Sequence, residues 1–208
     1  MATGGFVPEP AEFNTIITML GCLCATVQLG TGIYAAYKKR KIALIKTNDA
    51  LFRAHRAFGS FATVFYFLGL FAGLSGFIGA ILLNNPPFEI LDISFNIHVW
   101  PSFLVMVVII WKTLISYFKK PLVYKQGKWL GIATFVAWAY TWITSAVSFY
   151  LRTLPSNPQH SEPLYLLDIE LIVLQIILPF IIGVLISYFV LKAADKIEKK
   201  KLIASQKK

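Results

Sequence analysis

The chain has 208 residues, of which 57% are apolar and only 14% are charged, and its 20 Lys and Arg outnumber its 10 Asp and Glu. Soluble domains carry about 25% charged and about 45–50% apolar residues. The composition therefore excludes an ordinary soluble enzyme, a disordered chain and a small disulfide-linked scaffold. It indicates an integral membrane protein that resides in a lipid bilayer.

Five stretches are apolar over the roughly 20 residues that a membrane-spanning helix needs. None alternates polar and apolar residues as a membrane β-barrel does, and a helix satisfies every backbone amide within its own segment. We predict a single-domain, all-α bundle of five transmembrane helices, over residues 13–37, 57–83, 98–118, 129–151 and 166–191. Residues 1–12 lack the basic start of a cleaved signal peptide, so we expect span one to remain in the mature protein.

The basic residues predict the orientation of the bundle. All 20 Lys and Arg except Arg152 lie between spans one and two, near the inner end of span three, between spans three and four, or after span five. The positive-inside rule places these segments and the basic tail 192–208 in the cytoplasm and the N-terminus outside, and we expect a plasma membrane. Lys112, within span three, is expected to snorkel to the inner surface. Since short loops that contact anionic lipids account for the positive charge, we predict no nucleic-acid partner.

Spans one and two contain the clearest packing patterns. Cys22 and Cys24 point to different faces of span one, so we interpret both as packing residues. Span two is rich in glycine, which lets helices approach closely, and we predict that it is the central helix. Its small residues would also leave room for a flat cofactor or a quinone. The glycines concerned are Gly69, Gly73, Gly76 and Gly79.

Spans four and five contain aromatic, acidic and proline residues of interest. Trp138 and Trp142 share one face of span four, which predicts either lipid contact or the wall of a cofactor site. Glu170, near the start of span five, is expected to bond to a neighbouring helix. Pro179 predicts a kink in the middle of that span.

Three histidines are the candidate cofactor ligands. His55 precedes span two, His98 begins span three, and His160 lies in the loop before span five. At about 1.5 Å of rise per residue, most of the membrane thickness separates His55 from His98, so they cannot bind the same iron. The alternative is that each histidine has a structural role in hydrogen bonding at the membrane surface. The chain contains no nucleotide-binding, zinc-protease or serine-hydrolase motif, so enzymatic activity stays undecided.

The placement of single histidines at the starts of spans, with His55-Arg56-Ala57-Phe58-Gly59 at span two, resembles the cytochrome b561-type membrane cytochromes over residues 50–190. It is also similar to related small multi-spanning proteins with His-x-x-x-Gly at helix starts. The resemblance implies haem b, with His98 and His160 matching the outer ligand pair and His55 half of the inner pair. Span four begins Lys128-Trp129-Leu130-Gly131 and has no histidine to complete the inner pair.

These observations predict a membrane subunit of an electron-transfer complex that holds haem or quinone between its helices. His98 is the favoured ligand of the haem iron, followed by His55, and His160 is a further candidate. Three histidines cannot supply the four ligands of two haems, so we expect one haem or none. The alternative is a non-catalytic accessory subunit that packs beside larger membrane subunits.

Overall fold

The computed structural model describes residues 10–38, 49–82, 93–156 and 162–206. These residues form five α-helices and one 3₁₀ turn, and they contain no β-strand. The elements are α1 (Pro10–Tyr37), α2 (Ala50–Leu82), α3 (Ile93–Phe118), α4 (Lys120–Arg152), the 3₁₀ turn Ile169–Leu171 and α5 (Ile172–Gln206). Each α-helix is long and apolar enough to cross a membrane, which confirms the all-α prediction with five candidate spans.

The second helix begins earlier than the apolar stretch that predicted it. α2 starts at Ala50 rather than near residue 57 because Asp49 caps its first turn. The Asp49 Oδ1 accepts hydrogen bonds from the backbone N–H of Leu51 at 2.7 Å and of Phe52 at 3.4 Å. Hydropathy does not register such a cap, and the added residues 50–56 include Arg53, His55 and Arg56 among apolar residues.

The connection between the third and fourth helices is shorter than expected. α4 begins at Lys120, directly after the Lys119 that follows α3, so the predicted loop 119–128 is helical from its second residue. A proline in the first turn favours this start, because the backbone N–H that proline lacks has no partner there in any helix. α5 continues to Gln206, so the basic tail extends the last span as a helix.

α1 lies at the centre of the bundle and packs along α2, α4 and α5. Half of its most apolar window is buried inside the bundle, against 17% for that of α2. Glycines allow the close approaches, since Gly21 faces Trp138 of α4 and Gly30 faces Ser187 of α5. The prediction that span two is central is wrong, because α2 packs mainly along one helix, α1. At Gly73, in its glycine-rich stretch, no described atom outside the backbone of α2 lies within 4 Å of the Cβ position.

The bundle has two ends, which we name after the nearer histidine. The His98 end holds the starts of α1, α3 and α5 and the ends of α2 and α4, and the His55 end holds the opposite termini. α1 is therefore antiparallel to α2 and α4 and parallel to α5. The contacts that establish these directions are Asn14 with Gly69, Gln28 with Gly59, Thr15 with Ser145, Gly21 with Trp138, Met19 with Gln175, and Tyr34 with Asp195.

The aromatic face predicted for the fourth span lies inside the bundle. Trp138 is 1% exposed and Trp142 is fully buried. The Trp138 ring packs edge-on against Tyr66 of α2 with centroids 5.9 Å apart, and the Trp142 indole N–H donates to the Ile176 carbonyl of α5 at 2.9 Å. This face packs protein against protein, so the interpretation of these tryptophans as lipid contacts is wrong.

The two cysteines are buried packing residues on different faces of α1, as the sequence predicts. Cys22 packs with Trp142 and Ala146 of α4, whereas Cys24 belongs to the cluster that contains Tyr66 of α2. Both are free thiols. They contribute volume to two separate parts of the core.

At the His98 end, Glu12 holds the segment that leads into α5. Its Oε1 accepts hydrogen bonds from three consecutive backbone N–H groups, those of Leu164 at 2.9 Å, Tyr165 at 2.7 Å and Leu166 at 3.0 Å. Glu12 is 2% exposed, so these bonds are shielded from water. The sequence shows Glu12 only as an acidic residue before the first span, and this structural role becomes visible in the fold.

Candidate functional site

Polar side chains from four helices meet at two places inside the apolar bundle. At one end, the His98 cluster consists of Asn14 of α1, His98 of α3 and Thr144 of α4. Toward the other end, the His55 cluster consists of Gln28 and Thr31 of α1, His55 of α2 and Lys112 of α3. Polar groups at membrane depth are costly and often mark functional sites, so both clusters are candidates.

Both ring nitrogens of His98 have partners within the bundle. Its Nδ1 lies 3.2 Å from the Thr144 Oγ1, and its Nε2 lies 3.4 Å from the Asn14 Nδ2. The Thr144 hydroxyl donates to the Tyr140 carbonyl at 2.9 Å, so it accepts from the Nδ1–H of His98. The Nε2 of His98 then accepts from the Asn14 amide. A metal ion could bind His98 only if Asn14 or Thr144 moved away.

His55 is held on one side of its ring. Its Nδ1 lies 2.9 Å from the Thr31 Oγ1. The Thr31 hydroxyl donates to the backbone carbonyls of Val27 at 3.0 Å and Gln28 at 2.9 Å, so it accepts from the Nδ1–H of His55. Among the described residues no side chain bonds to the Nε2 of His55, which is the nitrogen available to a ligand.

Lys112 points into the bundle rather than toward the membrane surface. Its Nζ donates to the Gln28 Oε1 at 2.9 Å, and Gln28 lies three positions before Thr31, the partner of His55. Gln28 is placed by Gly59, where a Cβ would lie 2.3 Å from the Gln28 Nε2. No carboxylate of the described helices contacts Lys112, so its ammonium group is paired with a neutral amide.

The two clusters lie far apart along the bundle. His98 and Lys112 are 14 positions apart on α3, which corresponds to about 21 Å of helix. Buried side chains fill the space between them, including Tyr66, Ile109 and Trp138. The structure therefore does not bring the predicted ligands His98 and His55 together.

In the described part of the chain, no two histidines lie close enough to serve as the two axial ligands of one haem. His55 and His98 each lie in a separate cluster, and the described residues contain no group of three or more His, Cys, Asp or Glu that could hold a metal ion. The third candidate, His160, lies outside the described residues. On the helices, His55 is the histidine with a nitrogen available for a cofactor.

A regular spacing links the partners of the histidines. On α1 and α3, a residue of the His55 cluster lies 14 positions from a residue of the His98 cluster, close to four helical turns of about 14.4 residues. On α2, His55 lies the same distance from Gly69, which adjoins Asn14. These pairs are Asn14 and Gln28, His55 and Gly69, and His98 and Lys112. Sequence reasoning singled out the two histidines and Lys112 but missed the uncharged partners Asn14, Gln28 and Thr31. The repeated spacing was the pattern that could have found Asn14 and Gln28.

No protein-family model, no curated protein and no solved structure matches the chain.

Proposed function

We propose that the protein is a membrane subunit of an electron-transfer complex that holds haem or quinone at the His55 cluster. The observation that carries the proposal is an imidazole and an ammonium group held by two nearby residues of α1 inside an apolar bundle, with His55 on Thr31 and Lys112 on Gln28. Ionisable groups at membrane depth are rare and serve ligand, ion or proton sites. The resemblance of residues 55–59 to b561-type cytochromes supports a redox role.

His55 is the better candidate of the two histidines on helices, although the sequence favoured His98. Asn14 and Thr144 occupy both ring nitrogens of His98. His55 uses one nitrogen with Thr31, which orients its ring in the way that outer partners orient metal-bound histidines. The Nε2 of His55 is then directed to the cofactor.

Absorption spectra and quinone extraction test this proposal. The purified chain, expressed with a haem supply, is expected to show a reduced b-type spectrum or to carry extractable quinone, and His55→Ala should remove that cofactor. His98→Ala is the matched variant and should retain it. Absence of both cofactors from the parent chain, or retention in His55→Ala with loss in His98→Ala, contradicts the proposal.

A non-catalytic accessory subunit is the second candidate, and the apolar outer faces favour it. The most apolar windows of α2, α3 and α5 are 17%, 19% and 17% buried, and they expose large side chains such as Phe71, Trp100 and Phe189. Faces of this kind contact lipid or other subunits. Stable co-purification with larger membrane proteins, without haem or quinone, would support this function. Purification as a solitary chain in every mild detergent would contradict it.

The charge pattern supports the orientation with the N-terminus outside, the C-terminus in the cytoplasm and a location in the plasma membrane. Ser156, after α4, and Lys200, in α5, are exposed at opposite ends of the bundle. An impermeant maleimide is expected to label Ser156→Cys in intact cells and Lys200→Cys only after permeabilisation. The native Cys22 and Cys24 are buried and give the background. The reverse labelling pattern would invert the orientation.

A further inference from the structure

We propose that the His55 cluster binds the headgroup of a quinone. The inference rests on the proposed function and narrows its cofactor to one class. The hydrogen-bonding groups of the cluster and their depth in the bundle support it.

The cluster has the hydrogen-bonding groups that a quinone headgroup uses. An ammonium group has three N–H donors, and Lys112 gives one of them to Gln28, so two remain for a carbonyl oxygen. The Nε2 of His55 carries a lone pair, because Thr31 holds the proton on Nδ1. It can accept from the hydroxyl of the reduced form, the quinol. Lys112 and His55 thus complement the two oxygens of one ring.

Partly buried apolar side chains of α2 and α3 lie beside the cluster, toward the His98 end. They are Phe58 of α2, three positions after His55, and Met106 and Val108 of α3, six and four positions before Lys112. Methionine in particular adapts readily to a neighbouring ligand. An apolar ring held at Lys112 would contact these side chains.

The depth of the cluster favours a neutral headgroup over a lipid phosphate. Lys112 precedes the end of α3 by six positions, about 9 Å, and Gln28 precedes the end of α1 by nine positions, about 13 Å. A phosphate would have to leave the headgroup layer and lose its hydration to reach these groups, which is costly for a charged group. A quinone ring is uncharged and already dissolved in the hydrocarbon region.

Quenching of tryptophan fluorescence by decylubiquinone or a short-chain menaquinone tests the site, since Trp111 adjoins Lys112 on α3. In nanodiscs of phosphatidylcholine, the parent chain is expected to show saturable quenching. Lys112→Met removes the ammonium donor but keeps the side-chain volume, and affinity should fall about tenfold or more. Lys125→Met, at an exposed lysine of the same end on α4, is the control and should bind as the parent does.

Measuring the unfolding temperature of each variant distinguishes a loss of binding from a loss of folding. His55→Leu is a second variant, and it should weaken binding of the quinol more than binding of the quinone. Equal quinone affinity in the parent and Lys112→Met overturns the inference. The inference is also overturned if the chain binds phosphatidylglycerol through Lys112 and does not bind quinone. A His55-dependent haem spectrum without quinone binding overturns the inference and leaves the proposed function standing. Quinone binding in a chain that accepts no electrons from any membrane partner leaves the inference standing and overturns the proposed function.

Discussion

Replacement of Gly21 by alanine is expected to destabilise the bundle by about 3 kcal/mol. A Cβ at this position would lie 2.1 Å from two carbon atoms of the Trp138 indole, a distance that non-bonded atoms do not adopt. Trp138 is 1% exposed and packs against Tyr66, so it has no free space into which to move. Either α1 or the indole must shift, and the contact between the central helix and α4 is weakened.

Thermal unfolding in detergent, followed by circular dichroism, measures this effect as a fall of roughly 5–10 °C in the unfolding temperature. Gly73→Ala is the matched control, since it adds the same methyl group to a helix where no atom lies within 4 Å, and it should unfold at the parent temperature or above. Trp138→Leu should rescue part of the loss in combination with Gly21→Ala. An unchanged unfolding temperature for Gly21→Ala would refute the packing described for α1 and α4.

Replacement of Glu12 by alanine is the second large effect, with an expected loss of about 3 kcal/mol. The substitution removes the oxygen that accepts from the N–H groups of Leu164, Tyr165 and Leu166. Bonds to a carboxylate acceptor are stronger than bonds between neutral groups, and the Glu12 side chain that accepts them is buried. The segment before α5 should therefore detach from the start of α1.

Hydrogen exchange at residues 164–166 is the measurement specific to this segment. Exchange there should accelerate in Glu12→Ala, together with a lower unfolding temperature. Glu12→Gln keeps an oxygen acceptor and should retain part of the protection. Glu170→Ala removes an exposed carboxylate from the 3₁₀ turn and should leave both measurements unchanged. Identical protection in Glu12→Ala and the parent chain would show that another group holds the segment.

Several features of the fold and of the candidate site were predictable from the sequence. The five spans follow from the lengths of the apolar stretches, and the separation of His55 from His98 follows from the helical rise per residue. The placement of Cys22 and Cys24 on different faces follows from helical periodicity alone. The 14-residue spacing between Asn14 and Gln28 on α1 can also be read directly from the sequence.

The partners of these residues were decided by the tertiary structure. A membrane helix is apolar on all sides, because lipid and protein core are equally apolar, so its sequence does not reveal which face turns inward. For this reason the glycine-rich second span was predicted to be central, whereas α1 occupies the centre. The same ambiguity concealed that Lys112 turns to Gln28 rather than to the surface.

The sequence by itself determined that the chain is a membrane protein, how many helices it has and where the histidines lie along the bundle, since these depend on composition and on distance along the chain. Only the tertiary structure decided that His98 is closed in by Asn14 and Thr144, while His55 bonds to Thr31 and Lys112 bonds to Gln28. The reason is physical: a hydrogen bond between helices depends on the rotation of each helix about its axis. That rotation is set by the close contacts of small residues such as Gly21 and Gly59 with side chains of neighbouring helices.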